Sequence, residues 1–301
     1  MCGIVGLFLK NPVLRPDLGR HVSAMLAGMT DRGPDSAGIA VYHRPAGEGA
    51  CKLTLHHADP GHDWSALAGA IAQAFGCEVE AEVRANHAVL VADAGEAALR
   101  DWLAAEAPDV RVMGYGQLME VYKEMGLPAD VLRRHGIPAM AGTHAIGHTR
   151  MATESAVTTA GSHPFSTGDD LCLVHTGSLS NHNRLRENLK KEGMTFQTEN
   201  DTEVAAAYFT WRLRQGDSLR EALQNGIRDL DGFYTFCIGT ADGFAVVRDP
   251  IACKHAVLAE TDDWVAMATE FRAIAHLPGA DKAKIWEPEP QTIYTWEGHA
   301  Q

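Results

Sequence analysis

Cys2-Gly3-Ile4-Val5-Gly6-Leu7-Phe8-Leu9 is the stretch on which the fold turns. It alternates too little to lie half exposed, and Lys10-Asn11-Pro12 closes it, so Ile4 to Leu9 is expected as a buried strand. The residue before it carries chemistry. A small second residue permits removal of Met1, and Cys2 would then hold a thiol and a free α-amine on one carbon frame. With reference pKa values of about 7.7–8.0 for the amine and about 8.5 for the thiol, the amine can take the thiol proton directly or through a water. No histidine base is then needed. Taken alone, the same residue also fits a cysteine that happens to precede a buried strand.

Outward from that strand, Arg20 to Thr30 carries Val22, Met25, Leu26 and Met29 at helical spacing and stops before Asp31-Arg32-Gly33-Pro34-Asp35. Gly38 to Tyr42 reads as a second buried strand. From Ala50 to about Met113 the texture changes: strand Lys52–His57, helix Trp64–Phe75, strands Glu78–Arg84 and His87–Val91, helix Glu96–Ala105, strand Val110–Met113. That β-α-β-β-α-β order is the ferredoxin-like pattern, expected as an inserted subdomain over residues 50–113, with no cluster ligands implied. Residues 1–49 and 114–301 then form the main domain.

Beyond the insert, a helical piece from Gly116 to Arg134 is expected, broken near Gly126-Leu127-Pro128. Ala145 to His148 follows, then a polar loop from Thr153 to Asp170, the strand Leu171–Val174, and helices Asn183–Lys191 and Asp201–Arg214. Ala241-Asp242-Gly243 is a hairpin signal between strands Tyr234–Gly239 and Phe244–Arg248. Val265–Thr269 and Thr292–Trp296 close the series. Many strands and few long helices point to packed α+β sheets, not a parallel doubly wound sheet.

Composition narrows the function classes. Hydrophobic residues at 46% and charged residues at 22% exclude a disordered or fibrous chain. With 26 Lys and Arg against 39 Asp and Glu, the net charge of -13 repels nucleic-acid backbones and anionic lipid. No apolar run of membrane-spanning length and no basic leader occurs, so a cytoplasmic location is expected, with neither nucleic acid nor membrane as partner. The six cysteines, at 2, 51, 77, 172, 237 and 253, form no CxxC pair, and no metal site is expected. Gly114-Tyr115-Gly116 is read as a loop, and His144 and His148 as structural histidines.

Five motifs run in order: Cys2-Gly3-Ile4-Val5-Gly6, Arg32-Gly33-Pro34-Asp35-Ser36-Ala37-Gly38, Gly147-His148-Thr149-Arg150-Met151-Ala152-Thr153, Val174-His175-Thr176-Gly177, and Glu199-Asn200-Asp201-Thr202-Glu203. Together they resemble the class II glutamine amidotransferases, of the N-terminal-nucleophile hydrolase superfamily. The resemblance covers residues 1 to 42 and about 145 to 275. It implies a four-layer αββα sandwich, with the ferredoxin-like unit inserted.

It also implies roles. Cys2 would attack the amide, and its own α-amine would act as base. Arg150 would hold the substrate α-carboxylate through its planar fork, and Asp201 would pair with the α-ammonium. Thr153 and Met151 would complete the pocket wall, Arg32 and Asp35 would brace the loop beside Cys2, and His175 would support the strand end. Where the family usually has Asn-Gly as oxyanion donors, this sequence has Thr176-Gly177. The threonine hydroxyl is one donor, shorter in reach than an amide.

The resemblance extends to stand-alone amidotransferase subunits of glutamate-synthase-like complexes, of the N-methylglutamate synthase kind. It implies glutamine or γ-glutamylmethylamide as substrate, no cofactor in this chain, and FMN and iron-sulfur clusters in partner subunits of a hetero-oligomer. Because no acceptor domain is expected after the amidotransferase domain, ammonia or methylamine would pass to a partner. A decayed amidotransferase kept as a structural or regulatory subunit is the rival expectation.

Overall fold

The run Gly3–Leu9 (β1) is buried at all seven positions because it lies inside a sheet, hydrogen-bonded on both edges. In the computed structural model, residues 2–152 and 156–298 are described. The other strands are β2 (Ser36–Tyr42), β3 (Cys51–His56), β4 (Val79–Arg84), β5 (His87–Ala92), β6 (Arg111–Gly116), β7 (Met119–Met125) and β8 (His144–Arg150). They continue with β9 (Phe165–Gly168), β10 (Leu171–Leu179), β11 (Gly232–Thr240), β12 (Gly243–Arg248), β13 (Val257–Glu260), β14 (Trp264–Ala268), β15 (Lys284–Trp286) and β16 (Ile293–Glu297). The helices are α1 (Leu18–Ala27), α2 (Trp64–Phe75), α3 (Glu96–Glu106), α4 (Pro128–Arg134), α5 (His182–Lys191), α6 (Asp201–Arg214), α7 (Leu219–Asp229) and α8 (Phe271–Ile274).

Two antiparallel sheets face each other. One has the order β15-β13-β14-β1-β8-β2-β7, the other β16-β12-β11-β10-β9. Between them pack Ile4, Phe8, Ala40, Ile146, Cys172, Val174, Cys237, Val265 and Met267. The first sheet's outer face buries Val5, Leu7, Ile39, Val41 and Ala266 against Val22, Met25 and Leu26 of α1. The second sheet's outer face buries Leu171, Leu173, Phe236 and Ile238 against Val204, Phe209 and Leu223 of α6 and α7. Helix, sheet, sheet and helix thus make the αββα sandwich.

Side chains alternate along a strand, so these clusters fix which way each strand points its residues. Even-numbered residues of β1, β2, β8 and β10 face between the sheets, as do odd-numbered residues of β11 and β14.

The inserted unit has the expected order, β3-α2-β4-β5-α3-β6, with the antiparallel strand sequence β4-β5-β3-β6 of a ferredoxin-like sheet. It has its own core of Leu53, Leu55, Trp64, Ile71, Leu90, Leu99 and Leu103. Its last strand runs to Gly116, past Met113, and Gly114-Tyr115-Gly116 is strand instead of loop. A buried ionic cluster joins it to the sandwich: Lys52 of β3 meets Glu120 of β7 at 3.1 Å, and Glu120 also takes His43 at 2.7 Å and the Tyr122 hydroxyl at 2.7 Å.

Two further expectations are corrected, and three elements were not expected at all. Met119–Met125 is an edge strand paired with β2, not part of a helix. Its Glu120 and Lys123 point into buried polar environments, which made an inward-facing strand look like a helix's polar face. The polar loop before Asp170 contains β9, and the short strands β13 and β15 carry too few residues to show a period. Helix α7 was not expected, although Ser218 and Glu221 form a capping box at its start.

Candidate active site

At one end of the sandwich, β1 and β2 begin, β8 and β14 finish, and Thr176 and Gly177 lie near the end of β10. The alternation established by the core places Cys2, Arg150, Thr176, Thr235 and Thr269 on the face between the sheets there. Gly3 faces the other way: a Cβ on it would touch Met29 of the helix layer at 3.0 Å. The Ile4 amide donates to Thr269 Oγ1 at 2.9 Å, fixing the start of β1 against the end of β14.

Cys2 is half-buried and its carbonyl accepts from Arg32 Nε at 3.1 Å. Arg32 is held in turn by Glu270 at 2.5 Å, Glu270 by Arg272 at 2.8 Å, and Arg272 by Asp31 at 3.2 Å. The Arg32 hydrogen bond holds the Glu270 carboxyl below its ordinary range. Asp35 braces a second loop: its carboxylate accepts from the Ala152 amide at 2.8 Å, and its own amide donates to the Arg150 carbonyl at 3.1 Å. Between these two residues Gly33 lies flat on Arg150, where a Cβ would come within 2.6 Å of that residue's backbone.

Arg150 is buried, with Nη1 donating to the Gly161 carbonyl at 3.3 Å. Met151, next in the chain, is 37% exposed. Thr153 and Met1 lie outside the described residues.

Thr176 is 8% exposed, and its hydroxyl has no hydrogen-bond partner among the described residues. Gly177 has φ +147°; a Cβ there would overlap the Phe233 carbonyl oxygen and approach His175 Nε2 to 2.8 Å. Only glycine fits. His175 points to the helix side, its Nδ1 at 3.0 Å from Thr202 Oγ1 and 3.8 Å from Asp201 Oδ1. Asp201 opens α6, and its Oδ2 accepts from the Leu179 amide at 2.9 Å, tying the helix start to the end of β10.

The two sheets are locked beside the site by histidines. His148 Nε2 sits 3.0 Å from the His175 carbonyl, and the His148 and His163 rings stack at 3.9 Å. Burial pushes His148 down to about 3 and His163 well below its ordinary value, and burial also lowers His175, so the cluster is neutral near pH 7. His163, Thr202 and Lys123 were not singled out in the sequence. Lys123 is buried on β7 and donates to the carbonyls of Ala160, Ser162 and Pro164 at 2.9 to 3.2 Å, with burial lowering it to about 8. No sequence signal marks it, because its segment reads as helix. Among the described residues no group of three or more His, Cys, Asp and Glu is arranged to hold a metal, and no helix is long and apolar enough to cross a membrane.

A four-layer αββα sandwich with a cysteine at the head of a central strand is the architecture of the N-terminal-nucleophile hydrolases. The fold is shared with glutamine phosphoribosylpyrophosphate amidotransferase from B. subtilis, at TM-score 0.60 and 20% identity, over 96% of this chain and 46% of that one. The glutamine amidotransferase domain family matches residues 148–276. Glutamine amidotransferase-like protein GlxB of Rhizobium meliloti (strain 1021) is 57% identical over 298 residues, covering 99% of this chain and 98% of the relative. A putative glutamine amidotransferase of Methanothermobacter thermautotrophicus is 29% identical over 98% of this chain and 99% of the relative. This chain belongs to the glutamine amidotransferase family.

Proposed function

We propose that this chain is the glutamine-hydrolysing subunit of a glutamate-synthase-like complex, with Cys2 as nucleophile. The observation that carries the reading is the meeting of a strand-head thiol, a buried arginine and an inward hydroxyl, unpartnered among the described residues, beside a glycine at one end of the sandwich.

With Met1 removed, the Cys2 amine takes the thiol proton and the thiolate attacks the side-chain carbonyl carbon of glutamine. The carbonyl π pair moves onto oxygen. Thr176 Oγ1–H and the Gly177 amide stabilise that oxyanion. Collapse breaks the C–N bond, the ammonium returns its proton to the leaving nitrogen, and ammonia departs. The remaining thioester is hydrolysed by water to glutamate, regenerating the thiol. Arg150 and Asp201 hold the amino-acid end so that the amide reaches the sulfur.

Free hydrolysis wastes nitrogen, so the acceptor site belongs to a partner subunit, where FMN and iron-sulfur clusters would reside. Within this reading the complex is of the N-methylglutamate synthase kind, and Thr176 and Met151 leave room for γ-glutamylmethylamide, which would release methylamine. Residues 1–49 and 114–301 would be the amidotransferase domain, and 50–113 its inserted subdomain.

Peptide mapping of the N-terminus from the purified protein, before and after 6-diazo-5-oxo-L-norleucine, tests the chemistry. A peptide that begins at Cys2 and gains the adduct supports it. Retained Met1 with no adduct refutes it and favours a structural or regulatory subunit, the reading to which the Thr176 replacement lends weight. For the substrate, glutamine turned over as well as or better than γ-glutamylmethylamide would overturn the methylamide assignment.

A further inference from the structure

A cleft of about 730 Å³ opens where the inserted unit meets the sandwich. One wall is α3 and β6, with Arg100, Val110, Arg111 and Tyr115. The other is made from Lys123, Ala160, Ser166 of β9, the 193–198 connection, and Glu203 and Arg214 of α6. Four cationic side chains line it, Arg100, Arg111, Lys123 and Arg214, against two carboxylates, Asp101 and Glu203. In a chain of net charge -13 this is a local reversal of sign.

The carboxylates do little to cancel it. Glu203 is turned onto backbone, accepting from the amides of Gln197 at 2.7 Å and Thr198 at 2.8 Å and from the Thr198 hydroxyl at 2.6 Å. Arg111 has no carboxylate within ion-pair distance among the described residues. Arg214 has none either, and its guanidinium rests on the Met194 sulfur at 3.4 Å. Arg100 is paired with Glu96 and lies over the Tyr115 ring at 4.3 Å. Glu96 and Asp169 feel the charge of Arg100 and Arg214 but do not line the cleft. The Lys123 ammonium spends its donors on three carbonyls and has no counter-ion at contact among the described residues; Glu203 attracts it from farther off and Arg111 repels it. In the same wall the Ser166 hydroxyl is enclosed without a hydrogen-bond partner among the described residues.

We propose that this cleft is a binding site for a small, multiply charged anion of the phosphate-ester or polycarboxylate kind, gripped by Arg111, Arg214 and Arg100, with the Ser166 hydroxyl as a further donor. Guanidinium forks suit either oxyanion. The anion would lie against the segment 160–164, whose carbonyls Lys123 holds and whose Gly161 oxygen is the partner of Arg150. Occupancy of the cleft is thereby connected to the pocket that holds the amino-acid end of the substrate. The binding itself does not depend on the Cys2 chemistry.

Isothermal titration calorimetry of the full chain with inorganic pyrophosphate and, separately, with citrate tests the site. Binding of either supports it, and the better of the two names the ligand class. Arg111→Gln and Arg214→Gln, at exposed positions without ion pairs, should each weaken binding roughly ten-fold or more. Arg15→Gln, outside the lining of the cleft, changes net charge equally and should leave affinity unchanged. No heat with either anion at millimolar concentration overturns the proposal. So does an affinity that both cleft variants leave untouched, or that Arg15→Gln weakens as much.

Discussion

Replacing Thr176 by valine isolates one hydrogen atom. The two side chains have nearly the same shape, Thr176 is 8% exposed, and its hydroxyl bonds to no other described residue. Removing it therefore breaks no hydrogen bond to a described residue, and the stability change should stay within about 1 kcal/mol. The proposed oxyanion contact exists mainly in the transition state, where one donor is worth roughly 2.7–4 kcal/mol, or about 10²–10³ in kcat. A neutral hydroxyl belongs at the lower end, so kcat for glutamine should fall about a hundred-fold, with KM nearly unchanged. The assay is ammonia release under saturating glutamine, run beside a urea melt of each protein. A Thr176→Val enzyme of wild-type stability whose kcat stays within about three-fold would refute the reasoning, since the lost donor would then contribute under about 1 kcal/mol.

Other outcomes follow from the buried charges. Lys52→Met should destabilise by about 3 kcal/mol in urea unfolding, because Glu120 loses one of its buried partners, and adding Glu120→Gln should recover part of the loss; simple additivity would dismiss the cluster as a unit. Lys123→Met strands the carbonyls of Ala160, Ser162 and Pro164, so its melting temperature should fall and, as Gly161 shifts from Arg150, KM for glutamine should rise; an unchanged KM breaks that link. Burial holds His144 and His148 at about 3, below the unfolded value of 6.5, so the unfolded chain binds more protons as pH falls. Their contribution is complete above pH 6.5 and is lost on descent toward pH 3, on the order of 1–2 kcal/mol each by pH 5. Unfolding midpoints measured between pH 7 and 5 should drop steeply, and His148→Gln should flatten the slope.

Where a segment has its own period, the sequence reading and the structure agree closely. Helices Trp64–Phe75 and Asp201–Arg214 have the expected limits, and β1 differs from its reading only at Gly3. The ferredoxin-like order of the insert follows from six such segments. What failed was context. Met119–Met125 is an edge strand whose Glu120 and Lys123 are buried because an ion cluster and three carbonyls wait for them, and no local pattern announces such partners. The site divides in the same way. Motifs pointed to Cys2, Arg150, Thr176 and Asp201, but sequence spacing alone does not place residues 2, 150 and 176 on one inner face; strand alternation and register do. The brace Arg32–Glu270 and the stack of His148 on His163 join distant segments and had no sequence signal.

The position of β1 between β8 and β14 has a consequence for biosynthesis. The strand that carries the thiol is made long before its partners: one edge neighbour begins at His144 and the other at Trp264, and the Ile4–Thr269 contact spans 265 residues. Pairings this far apart form late, because the intervening chain must be closed before they gain anything. A nascent chain shorter than about residue 270 lacks Thr269 and Glu270, and with them the tether of β1 and the clamp on Arg32. Cys2 is made before the segments that surround it, so a partial product ending short of residue 270 carries the thiol without the Thr269 tether of β1 or the Glu270 clamp on Arg32.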